Sequence, residues 1–84
     1  MRIVWDERKR LANLDKHQLD FADLTVEFFL DASIVPAKLG RLIAFGRLAD
    51  GTLAVIFVRL GSEGLSVISM RPANAKERMQ IDDR

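Results

Sequence analysis

Cysteine and tyrosine are both absent from the 84 residues, and histidine and tryptophan occur once each. Without a thiol there is no disulfide framework, no thiolate metal site and no cysteine nucleophile. A lone histidine cannot form a His-x-x-x-His pair, and no paired-carboxylate pattern replaces it, so neither a metal nor a cofactor is expected. Long apolar runs are also lacking. The longest, residues 43–45 and 53–58, fall far short of the ~20 residues that span a bilayer, and no membrane association is expected. The first five residues run directly into charged ones rather than into an export signal, which predicts a cytoplasmic location. Nor is there an excess of one charge: 13 Lys and Arg against 12 Asp and Glu leave a net +1, without the basic surplus that usually marks a nucleic-acid binder.

What is present is a globular composition, with 49% hydrophobic residues. A chain of this length buries roughly 60–65% of its extended surface on folding. That predicts one domain over residues 1–84 and excludes large nucleotide-binding folds. The charges are unevenly spread. Residues 1–40 carry six basic and seven acidic side chains, whereas residues 41–78 carry six basic (Arg41, Arg47, Arg59, Arg71, Lys76, Arg78) and three acidic (Asp50, Glu63, Glu77). The second half is locally basic, mainly through arginine.

Alternation in Arg2-Ile3-Val4-Trp5 predicts a short strand, ended by Asp6 as the N-cap of a helix over residues 7–16 whose Leu11 and Leu14 supply an apolar side. Asp20 is a second N-cap candidate. Phe21, Leu24 and Phe28 follow at helical spacing, widened by Val26, Phe29 and Leu30, and predict a helix over residues 20–30. Pro36 and Gly40 make residues 31–40 a loop or irregular edge. Three β-prone runs follow, residues 41–48, 53–60 and 65–70, separated by Ala49-Asp50-Gly51 and Gly61-Ser62-Glu63-Gly64. Connections this short predict an antiparallel meander. A short helix over residues 72–80 should start at Pro72. The order β-α-α-β-β-β-α is an α+β fold with helices against one face of a small antiparallel sheet. In the middle strand Leu53, Val55 and Phe57 share one side and Ala54, Ile56, Val58 and Leu60 the other, so both sides are apolar.

Few residues can carry chemistry. His17, beside Lys16 between the predicted helices, can shuttle a proton or contact phosphate; it can equally cap a helix C-terminus through its interaction with the helix dipole. Arg59 and Arg71 each close a strand and Arg41 opens one. Arginine's planar donor fork matches phosphate, so arginines on a sheet rim make an anion or RNA-backbone site; the plain alternative is a set of solvated strand ends paired with Asp50, Glu63 or Glu77. Glu63 and Glu77 are candidates for a general base, the plainer alternative being solvated surface carboxylates. Trp5 reads as a packed aromatic.

The motif Trp5-Asp6-x-x-Lys9, then Asn13, then Lys16-His17-x-Leu19-x-Phe21, resembles the opening of BrnT toxins. So do Ile43-Ala44-Phe45-Gly46, the strand ending at Arg59, and residues 67–73 followed by Lys76-Glu77-Arg78, which are similar to that family's Ile-Ser-Ala-Arg-x-Ala-x-x-x-Glu-Arg terminus. The resemblance implies a RelE-like fold, a metal-independent endoribonuclease that inhibits translation through attack of the RNA 2′-hydroxyl, and a BrnA-type antitoxin as partner. A homodimer, or a heterotetramer with the antitoxin, is the assembly it implies. It assigns catalysis to Arg59 and Arg71, supported by Arg41, and to His17 or a group near it; Arg41, Arg47, Lys16 and Lys76 are the residues expected to bind RNA. The chain departs from the family where Gly40 precedes Arg41 in place of a glutamate, where Ser66 replaces a common arginine, and in lacking a tyrosine near the carboxyl end. These departures support a second reading, a non-catalytic toxin-like module that binds an antitoxin or RNA.

Overall fold

The computed structural model describes residues 1–49 and 51–82. Its elements are β1 (Arg2–Trp5), α1 (Glu7–His17), a 3-10 turn (Phe21–Asp23), α2 (Val26–Asp31), β2 (Ser33–Pro36), a second 3-10 turn (Lys38–Gly40), β3 (Leu42–Leu48), β4 (Gly51–Leu60), β5 (Gly64–Pro72) and α3 (Ala75–Asp82). The strands form one sheet in the order β1-β5-β4-β3-β2. The α+β class and the β3-β4-β5 meander expected from the sequence hold. Of the first meander turn, Asp50 lies outside the described residues.

Four details differ from expectation, each for a physical reason. First, the sheet is mixed, because β1 joins the far edge parallel to β5. Second, residues 33–36 are an edge strand, antiparallel to β3. Proline is tolerated at an edge, where its missing N–H costs no ladder bond, so Pro36 ends this strand rather than preventing it. Third, the helix predicted over residues 20–30 is broken. Asp20 caps only the 3-10 turn, accepting from the Ala22 N–H, and Thr25 in extended conformation starts α2 afresh by accepting from the Phe28 N–H at 3.1 Å. Fourth, the C-terminal helix starts at Ala75, with Pro72 closing β5. An Asn74–Glu77 capping box sets that start: the Glu77 N–H donates to Asn74 Oδ1 and the Asn74 N–H to Glu77 Oε1.

The core forms where Phe21, Leu24, Phe28 and Phe29 lie on the sheet face bearing Leu53, Val55, Phe57, Val67 and Met70. Phe29 meets Phe28 and Phe57 edge-on, with centroids 5.2 and 5.3 Å apart. Trp5 packs edge-on against Phe21, as expected of a packed aromatic. Each buried aromatic contributes roughly 1.5–3 kcal/mol by burial. The opposite face carries Phe45 and Ala54, both buried, and Arg71, which is bound to Glu77 of α3. The helix α3 therefore packs on the face opposite α2, so the helices do not all share one side. Among the described residues no helix is long and apolar enough to cross a membrane.

Candidate functional site

Helix α1 is not anchored as its leucines suggested: Leu11 and Leu14 are exposed, at 53% and 36%, and its buried residue is Asn13. Strand β1 pairs with β5 only as far as Trp5 opposite Val67, so the outer edge of β5 needs another partner beyond that point. Asn13 supplies it. Its Oδ1 accepts the buried Met70 N–H at 3.0 Å while its Nδ2 donates to the Leu19 carbonyl at 3.2 Å. At the same place β5 bulges. Ser69 faces Ile56 and Val67 faces Phe57, which leaves Ile68 as an extra residue. Bulges re-aim the side chains that follow them.

Between α1 and the bulged strand runs an open groove of about 330 Å³, lined by Lys9, Ala12, Asn13, Lys16, His17, Ile68, Ser69 and Arg71. The helical residues recur at spacings of three and four, so α1 presents them on one side. None of the eight lining residues is acidic. Two lysines, an arginine and a histidine face one another across it. Arg71 is held from the side by α3: its two terminal nitrogens donate to Glu77 Oε1 and Oε2 at 2.8 and 3.0 Å. The guanidinium holds the Glu77 carboxyl below its ordinary pKa, with partial burial opposing. At the base of α1, Arg10 pairs with Glu7 and with Asp20, whose carboxyl is lowered first by the Ala22 N–H and then by Arg10. That pair ties the helix to the turn before the core.

The groove thus unites three of the sequence-predicted residues, His17, Lys16 and Arg71, and adds Lys9 and Ser69. Lys9 was visible in the sequence as a position one turn from Asn13 and two from Lys16. His17 is the last residue of α1, and Gln18 caps the helix in a left-handed conformation. The other predicted residues lie elsewhere. Arg59 lies on the core face beside Phe29, Phe57 and Leu65, at the other end of the sheet. Arg41 is exposed before β3 in the loop that follows β2, where its N–H donates to the Lys38 carbonyl. Arg47 lines a separate cavity between α2 and the end of α3, and Lys76 is exposed on α3. Of the pairings weighed for the strand-end arginines, Arg71 with Glu77 forms. Among the described residues no group of three or more His, Asp or Glu side chains is placed to hold a metal ion.

The family model for the ribonuclease toxin BrnT of type II toxin-antitoxin systems matches residues 5–77. The chain is also similar to a solved structure, the 1.1 Å crystal structure of the Brucella abortus ribonuclease toxin BrnT. Identity is 56% and the TM-score 0.83, over 88% of this chain and 97% of that one. No curated protein sequence matches significantly.

Proposed function

This chain belongs to the BrnT family of ribonuclease toxins of type II toxin-antitoxin systems, and on that premise we propose that it is an endoribonuclease that cuts RNA in the groove between α1 and β5, independently of metal. The observation that carries the reading is the convergence of Lys9, Lys16, His17 and Arg71 on one groove whose lining residues include no acid, with Arg71 held in place by Glu77 of α3. In the reaction the RNA 2′-hydroxyl attacks the neighbouring phosphorus, the bond to the 5′-oxygen breaks, and a cyclic phosphate and a 5′-hydroxyl result. The protein has to place the chain in line, stabilise added negative charge on the phosphate and move one proton off the 2′-oxygen and one onto the leaving oxygen. Arg71, Lys9 and Lys16 hold the phosphate. His17, in the same groove at the end of α1, moves the proton. Cleavage of messenger inhibits translation, and a BrnA-type antitoxin is the protein partner that restrains it.

Cleavage of a defined RNA in EDTA, with a growth-arrest assay beside it, tests the reading. Removing a group that contributes to general acid–base or charge stabilisation costs about 10²–10³ in rate. His17→Ala and Arg71→Ala should each lose that much while remaining folded, and Lys9→Ala and Lys16→Ala should raise KM. Cleavage that vanishes in EDTA, or that survives both His17→Ala and Arg71→Ala, rejects this site. The presence of Gly40 where the family places a glutamate favours a non-catalytic module instead, and that reading requires no cleavage of any RNA by the unmodified protein.

A further inference from the structure

We propose that the sheet face opposite the core is the seat of the antitoxin, and that its occupant is an amphipathic antitoxin helix with acidic flanks. The proposal rests on the preceding reading that the chain is a toxin restrained by a protein partner.

A sheet face in water alternates apolar and polar residues along its strands; β5 does so, with Ser66 and Ser69 on this face, but the neighbouring β4 and β3 do not. The alternation of β4 puts Ile56, Val58 and Leu60 on the face away from Phe57; the register places Ile43 of β3 and Val35 of β2 on the same side, with Val4 of β1. Helix α3 reaches only the end holding Phe45 and Arg71. Among the described residues nothing covers the rest fully: Val35 is 37% and Leu60 49% exposed, and Ile43, Ile56 and Val58 are half-buried. At strand spacings of about 4.8 Å across and 3.3 Å per residue along, the patch measures on the order of 250 Å². The largest apolar patches of monomers, ~300–600 Å², are often functional, and this slightly smaller one has the width for a single helix of ~10 Å diameter. A cavity of about 320 Å³ at its end, between Met1, Val4 and Leu60, offers a socket for one large apolar side chain.

The rim selects the partner's charge. Arg2 and Arg41 stand exposed at its edges and Lys16 lies in the adjoining groove, where Arg71 is paired with Glu77; Glu63 is the acid at the cavity mouth. A second copy of the chain would oppose like charges on the two rims. RNA binds sheet faces by stacking on aromatic rings, and this surface is aliphatic, its Phe45 being buried. An acidic amphipathic helix satisfies both the surface and its rim. Seated there, beside Ser69 and the groove, its carboxylates compete with RNA phosphate for Lys16 and Arg71, which accounts for neutralisation by occlusion.

The absence of cysteine makes a direct test available. Single variants Val35→Cys, Val58→Cys and Leu60→Cys, with Leu30→Cys on α2 as reference, are reacted with a maleimide before and after addition of the BrnA-type antitoxin, complex formation being followed by native mass. The antitoxin should slow labelling about tenfold or more at 35, 58 and 60 and leave 30 unchanged. A formed complex with unslowed labelling at all three positions overturns the docking face while leaving the partner intact. Failure of the unmodified protein to form any complex overturns both. Slowing that follows the concentration of the toxin alone, or that RNA produces and the antitoxin does not, overturns the proposal in favour of a second copy or of RNA. Independently, Val58→Asp should weaken antitoxin binding by ~100-fold with RNA cleavage by the free toxin unchanged.

Discussion

Glu77 holds Arg71 with both carboxylate oxygens and at the same time caps α3 through Asn74, so one side chain fixes both the groove's arginine and the start of the last helix. The sequence offered Glu77 as a candidate base. The structure gives it a positioning contact, and a carboxylate so engaged is a poor proton acceptor because its charged form is the stabilised one. Its folded pKa lies below the unfolded value, so its contribution is fully present above the ordinary carboxylate range and is lost as pH falls through the depressed folded value. Glu77→Gln should therefore cost about 1–2 kcal/mol at neutral pH, the worth of a partly exposed charged hydrogen bond. Urea unfolding of the two proteins from pH 7 down to pH 3 should show the gap closing with acid; a gap constant across that range would mean the carboxylate's charge contributes nothing.

At the scale of elements, α1 and β3 show how polar and small residues position the site. Lys9, Asn13 and Lys16 share a helix side that spacing alone reveals, but the leucines pointed to the wrong inner side. Asn13 wins because the bulged edge of β5 presents an N–H that only a polar partner can satisfy, and no local pattern announces that edge. In β3, Gly46 allows Phe28 to lie directly on the strand. A Cβ there would stand 2.9 Å from Phe28 Cε2 and 3.3 Å from the Ala32 Cβ. Gly46→Ala should thus destabilise by about 1–3 kcal/mol through overpacking, read as a lower denaturation midpoint with unchanged slope. A neutral or stabilising effect would show that Phe28 can move aside freely. Strand β2 was hidden in the sequence by its four-residue length and its proline, although Ile34-Val35 was a β-prone signal.

For the whole molecule, the meander decides which arginines can cooperate. Two arginines that close successive antiparallel strands lie at opposite ends of the sheet. Arg71 faces Ala54, and Arg59 lies five residues further along β4, ~17 Å away, on the other face. Sites so separated act independently. In a double-mutant cycle on RNA cleavage, Arg59→Ala and Arg71→Ala should combine additively within about 0.5 kcal/mol, whereas Arg71→Ala with Glu77→Gln should not. Coupling between the two arginines above ~1 kcal/mol would place them on one phosphate after all. The sequence by itself determined the meander, the apolar character of both faces of β4, the family, and the presence of His17 and Lys16 at one helix end, because these depend on period, spacing and residue type. Tertiary structure alone decided that Arg71 joins them and Arg59 does not, that β1 crosses to β5, and that α3 covers only part of the second sheet face. Those outcomes depend on register and on which edge needs a partner, and such long-range pairings leave no trace in a local pattern.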